Sequence, residues 1–97
     1  MKNDELRKLI RSNEIIFKVI EQKLLKYQII DICNILYDLE IIIDNCYKKD
    51  DINTIQLFEF KESVYCNLCR IKELCKKETI LNKNINSKID NLIYLVK

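Results

Sequence analysis

The stretch Tyr27–Tyr47, YQIIDICNILYDLEIIIDNCY, decides how the rest of the chain is read. Ile29, Ile32/Cys33, Leu36, Leu39 and Ile43 recur at steps of three and four, which places side chains on one line of an α-helix. Ile35, Ile42 and Cys46 widen that line, while Ile30, Tyr37 and Ile41 lie toward the other side. The polar residues fall mostly in a narrow lane, Asp31, Asn34, Asp38 and Asn45. A helix with so little polar circumference must be covered on most sides, at the centre of a bundle or in an interface. A transmembrane span is disfavoured, because Asp31, Asp38, Glu40 and Asp44 lie inside the stretch and each would cost about 2.5–3.5 kcal/mol at the bilayer centre. A strand over Glu40–Ile43 suits the β-branched content, but strict alternation and bounding turn residues are missing.

Composition narrows the fold further. A chain of 97 residues forms one domain with a modest core, marginally stable unless it assembles. Gly and Pro are both absent, which argues against hairpin-rich β folds, phosphate-cradling loops and flexible linkers. Heavy use of Ile, Lys and Asn reads as an AT-rich genome, such as that of a bacterium, its phage or a virus. The surface charge is mixed: residues 1–50 carry nine charges of each sign, and residues 51–97 carry eight basic against six acidic. No signal-peptide pattern follows Met1. Five cysteines, an odd number, then suggest reduced thiols in a cytoplasmic compartment.

Outward from the central stretch, a first helix is expected after Asn3 or Asp4, with Asp4 and Glu5 at the positive end of its dipole. Its line is Leu6, Leu9/Ile10, Ile16/Phe17, Ile20 and Leu24, interrupted by Asn13. Ser12-Asn13 or Lys26–Gln28 is a candidate break. Without one, residues 4–47 form a single rod of roughly 65 Å, and a coiled-coil dimer follows; with one, they form a hairpin. KKDDIN, residues 48–53, is the clearest boundary. Asn53 and Gln56 have capping-box spacing, and Ile52 and Leu57 are placed as a hydrophobic staple. The third helix is expected over Thr54–Lys77, burying Leu57, Phe60/Lys61, Val64, Leu68, Ile71 and Cys75, with Phe58, Tyr65 and Leu74 beside them. Leu81, Ile85, Ile89, Leu92/Ile93 and Val96 keep helical spacing to the end. Ser87 and Asp90 suggest that the last helix begins at Lys88. No internal repeat is visible.

The motifs exclude more chemistry than they supply. Cys66-Asn67-Leu68-Cys69, with Cys75 beyond, is the one metal-like pattern. Tetrahedral zinc wants four ligands, and with no His and no second CxxC, Cys33 or Cys46 would have to complete the set. The plainer reading is that these cysteines are small buried hydrophobes. Asp31, Asp38, Glu40 and Asp44 lack the Glu-x-x-His pairs of di-iron bundles, and no His or Gly is available for a Ser-His pair or a P-loop. Neither a cofactor, a metal nor a small-molecule substrate is expected, and the chain reads as non-enzymatic. Arg70, Lys72, Lys76, Lys77, Lys83 and Lys88 form a mild basic patch that could touch nucleic-acid phosphates.

One short stretch, Ile89-Asp90-Asn91-Leu92-Ile93 preceded by Ile85, resembles the Leu-Asp-x-Leu-Ile core of the small helical-hairpin phosphatases of sporulation response regulators. The resemblance implies a hairpin whose Asp90 reaches the partner's aspartyl-phosphate. It covers a dozen residues; the family's preceding Ser-Gln reads Asn86-Ser87 here, and the family's first-helix pattern is not evident.

Taken together, the residues predict an all-α fold of three or four helices. They point to a protein–protein interaction module, an inhibitor, adaptor or self-assembling subunit whose partner is another protein or a further copy, and not a membrane. Tyr27, Leu36, Tyr37, Ile43, Tyr47, Phe58 and Tyr65 are the candidate interface residues. The alternatives are nucleic-acid binding through residues 70–88, and regulation of response-regulator phosphorylation.

Overall fold

Residues 26–28 settle whether the first half of the chain is a rod or a hairpin. In the computed structural model, Tyr27 adopts a left-handed φ of 55°. The Gln28 N–H donates to the Lys23 carbonyl (3.0 Å) and the Tyr27 N–H to the Leu24 carbonyl (3.1 Å). These two bonds make a Schellman motif, which stops a helix by satisfying its last carbonyls. Glycine usually holds this position; tyrosine adopts it here at a cost of roughly 1–2 kcal/mol. Helix α1 (Asn3–Leu25) therefore folds back on α2 (Ile29–Tyr47), and Lys23 pairs with Asp31 across the turn at 3.2 Å.

The structure describes residues 3–48, 53–79 and 82–97, with side chains from Arg7 onward. Ile52 of the predicted staple, Lys49, Leu81 and the first-turn side chains Asp4, Glu5 and Leu6 lie outside them. Helix α3 (Thr54–Lys77) has the predicted span. The Asn53 side chain accepts from the Ile55 N–H at 2.8 Å, but the reciprocal arm of the capping box is not made, because Gln56 Oε1 is buried without a hydrogen-bond partner. Helix α4 (Lys83–Val96) starts five residues earlier than Ser87 suggested. Asn82 caps it, accepting from the Ile85 N–H at 3.0 Å, so the Ser87–Asp90 spacing falls inside the helix. Thr79, at the end of α3, repeats the left-handed φ of 55°. All the described regular structure is helical.

The four helices of the described residues close a square. α1 and α4 each pack against both α2 and α3, and among the described residues the backbones of the diagonal pairs stay apart. α2 and α4 run parallel: the Tyr47 hydroxyl donates to the Leu95 carbonyl at 2.9 Å, and one helical stretch earlier Glu40 pairs with Lys88. Arg70–Glu21 (2.9 Å) joins α3 to α1 near their C-terminal ends. The α2 line Ile32, Leu36, Leu39 and Ile43 is fully buried, together with Phe17, Ile20, Leu24, Phe60, Val64, Leu68, Ile71, Ile85, Ile89 and Leu92.

Burial exposes a repeat that residue identities conceal. Phe17, Ile20 and Leu24 correspond to Leu68, Ile71 and Cys75, each 51 positions on, and Ile32, Leu36, Leu39 and Ile43 to Ile85, Ile89, Leu92 and Val96, each 53 positions on. The left-handed residues Tyr27 and Thr79 lie between, 52 apart. The chain is thus two helical hairpins with one burial rhythm. Asn13 is the exception. It is fully buried where the second hairpin has Val64, and neither its Oδ1 nor its Nδ2 has a hydrogen-bond partner.

An unsatisfied buried amide costs about 1–3 kcal/mol, so Asn13→Leu is expected to raise stability by that order, read as a higher urea midpoint; a lower midpoint would show that the amide is needed. Leu36→Asp or Ile43→Asp is expected to abolish cooperative unfolding, since either buries an unpaired charge. Wild-type helicity and melting in both variants would refute the central place given to α2.

Candidate interaction surface

The seven candidate interface residues do not form one surface. Leu36 and Ile43 are fully inaccessible and belong to the core; their line is the one that α2 turns inward, so they are corrected from contact residues to packing residues. Tyr47 is half-buried and tied into the fold by its bond to Leu95, with the Lys61 ammonium 5.4 Å from its ring centroid. Tyr27 is exposed in the first turn. Tyr37 is exposed on α2, with Lys88 Nζ 4.6 Å from its ring centroid. Cation–π contacts of this kind contribute about 0.5–1 kcal/mol at exposed sites.

Phe58 and Tyr65 do come together. They share one face of α3 and, with Val96 at the end of α4, line an open, mainly apolar groove of about 320 Å³. Lys61, Glu62 and Lys97 rim it. Helix lengths explain it: α3 has 24 residues and its antiparallel neighbour α4 has 14, so the first turns of α3 run beyond the end of α4. Phe58 is 64% exposed. The hydroxyl of Tyr65 has its pKa raised, first by a hydrogen bond with the Cys69 thiol one turn on. Sequence reasoning picked out Ile30 and Ile41 as apolar but did not count them as surface contacts, and it missed Ile55 and Tyr94, all more than half exposed. The signal was present, since each lies roughly opposite the buried line of its helix.

The remaining motifs are dispersed or neutralised. None of the five cysteines forms a disulfide. Cys75 is buried, which pushes its thiol pKa up and disfavours the thiolate that metals require. Cys66 is exposed and Cys69 half-exposed, so the reading as buried hydrophobes fits Cys46 and Cys75 but not these two. Among the described residues no three Cys, Asp or Glu side chains converge as a metal site, and Asp31, Asp38, Glu40 and Asp44 are spread around α2. Of the basic patch, Arg70 pairs with Glu21, Lys72 with Asp90 at 2.8 Å, Lys76 with Glu73 at 3.5 Å and Lys88 with Glu40; Lys77 and Lys83 are exposed. Asp90, the residue singled out by the phosphatase resemblance, is thus held by Lys72. Among the described helices none is long and apolar enough to cross a membrane. No protein-family model, curated protein or solved structure matches the chain.

Burial raises the Tyr47 pKa, and the nearby Cys46 and Asp44 raise it further. A phenol whose folded pKa lies above its unfolded value contributes stability that is complete below the unfolded pKa and lost as pH rises through the folded one. Tyr47→Phe should therefore cost about 0.5–1.5 kcal/mol near neutral pH. The gap between wild type and variant, followed by urea unfolding, should narrow above about pH 10. A gap that stays constant into strongly alkaline solution would contradict this role.

Proposed function

We propose that this protein is a non-enzymatic interaction module, acting as an adaptor or inhibitor by receiving the apolar edge of a partner protein's amphipathic helix in the groove between α3 and the end of α4. The observation that carries the reading is the exposure of Phe58 beside Tyr65 at an apolar groove floored by Val96. Leaving a phenylalanine in water forgoes about 1.5–3 kcal/mol of burial, and recessed aromatic anchors concentrate binding energy in interfaces. The open groove beside α3 and beyond the end of α4 offers a helix the antiparallel packing that α4 gives the rest of α3. Lys61 and Glu62, of opposite charge on the rim, suit a polar border around an apolar contact.

The ion pairs on Arg70, Lys72, Lys76 and Lys88 favour this reading over nucleic-acid binding, because phosphate would have to compete with carboxylates already in place.

The test is recovery of a partner on immobilised protein from nuclease-treated lysate of the source organism. A stoichiometric partner is expected to survive high salt, whereas phosphate-driven binding falls steeply. Phe58→Asp should weaken its capture by roughly thirty-fold or more, the scale of a central anchor. Equal capture by wild type and variant, or capture lost on nuclease treatment, would refute the groove as the docking site.

A further inference from the structure

We infer that the face formed by α2 and α4 is covered by a second copy of this chain, related by a two-fold axis. This surface is distinct from the groove on α3 and does not depend on it. On α2, Ile30, Tyr37 and Ile41 are 77%, 64% and 51% exposed. Their separations of seven and four residues set them on one line of the helix. Beside that line, α4 contributes Lys88, which closes on Glu40 and lies against the Tyr37 ring, and the exposed Asn91.

The charge pattern selects the occupant. In a two-fold contact each residue meets its own surroundings repeated, so an unbalanced face opposes like charges near the axis. Here Lys88 and Glu40 cancel within the protomer, and Asp44 and Lys48 near the end of α2 are of opposite sign. Exposed Asp38, Asp44 and Lys48 lie on or beside the apolar line, and with them the amides Asn34 and Asn91, which both donate and accept and so can pair with their own kind. An acidic or basic partner would find little complementary field, and an identical copy meets little repulsion.

Area supports the same occupant. At 1.5 Å per residue, α2 is about 28 Å long and α4 about 21 Å, and side by side they present roughly 500–600 Å² in projection. Once side-chain relief is followed, that approaches the ~800 Å² per partner of a stable interface. The protein exposes 6539 Å² for a mass of 11.7 kDa, whereas monomers of that mass expose roughly 5,900 Å².

Sedimentation equilibrium of the full chain, with circular dichroism as a check on folding, tests this. Wild type is expected to reach twice 11.7 kDa as concentration rises. The double variant Tyr37→Lys/Ile41→Lys should keep its helicity and raise the dissociation constant roughly tenfold or more. Asn91→Lys, on the other helix of the face, should weaken the same equilibrium, and it decides the matter alone if the double variant loses helicity. Phe58→Asp should leave the dimer intact, which separates this surface from the groove. Wild type at 11.7 kDa at every concentration, a dimer that survives the α2 and α4 substitutions, or one dissolved only by Phe58→Asp would each overturn the inference.

Discussion

Every helix of this protein depends on the inward line of α2 being sealed. Ile32, Leu36, Leu39 and Ile43 are wholly withdrawn from water, each contributing about 1.5–3 kcal/mol before the entropy of ordering is subtracted. No single neighbour can cover them. α1 and α4 flank α2 on its two sides, and α3 closes the square from the opposite corner. The hairpin turns, the parallel run of α2 beside α4 and the position of the Tyr47–Leu95 bond are all consequences of that closure. It also decides what is left outside. A helix apolar on more than one side can turn only one side inward, so Ile30, Tyr37 and Ile41 remain in solvent.

The elements were legible in the sequence to the extent that local chemistry determines them. The three-four spacing of α2 and α3 is unambiguous, and Asn53 marks the start of α3 by a local hydrogen bond. The end of α3 at Lys77 was legible as it stands, whereas the end of α1 was legible only as one of two candidate breaks, Ser12-Asn13 or Lys26–Gln28. Tyr27 and Thr79 stop helices by adopting a backbone conformation their side chains disfavour, and no residue-type signal announces it. The start of α4 was obscured because Asn82, Asn84 and Ser87 are all plausible caps; the winner is the one that lets Ile85 reach the core. The repeat was hidden because its equivalent positions conserve burial and not identity, as with Leu24 and Cys75, and because the second connection is longer.

The candidate surface was only partly legible. Aromatic type singled out Tyr37, Phe58 and Tyr65, but periodicity alone cannot say which of several apolar lines faces inward. Leu36 and Ile43 lie on the main line read from the sequence, and because that line faces the core they do not serve as contacts. The groove was invisible from spacing, since it arises from α4 running shorter than α3 in three dimensions. The ion pairs of the basic segment were equally hidden: Glu21, Glu40 and Asp90 reach Arg70, Lys88 and Lys72 only through packing between helices.

The two left-handed turns gain a different meaning when the unfolded chain is considered. A sequence without glycine has fewer backbone states to lose on folding, because every residue carries a Cβ that restricts it. Placing glycine at Tyr27 or Thr79 would relieve the folded turn by roughly 1–2 kcal/mol, yet it would also widen the unfolded ensemble, an opposing effect of about 0.4–1 kcal/mol. The strained turns are therefore the local counterpart of a chain that is stiff everywhere, and its disordered state is correspondingly less favoured by entropy.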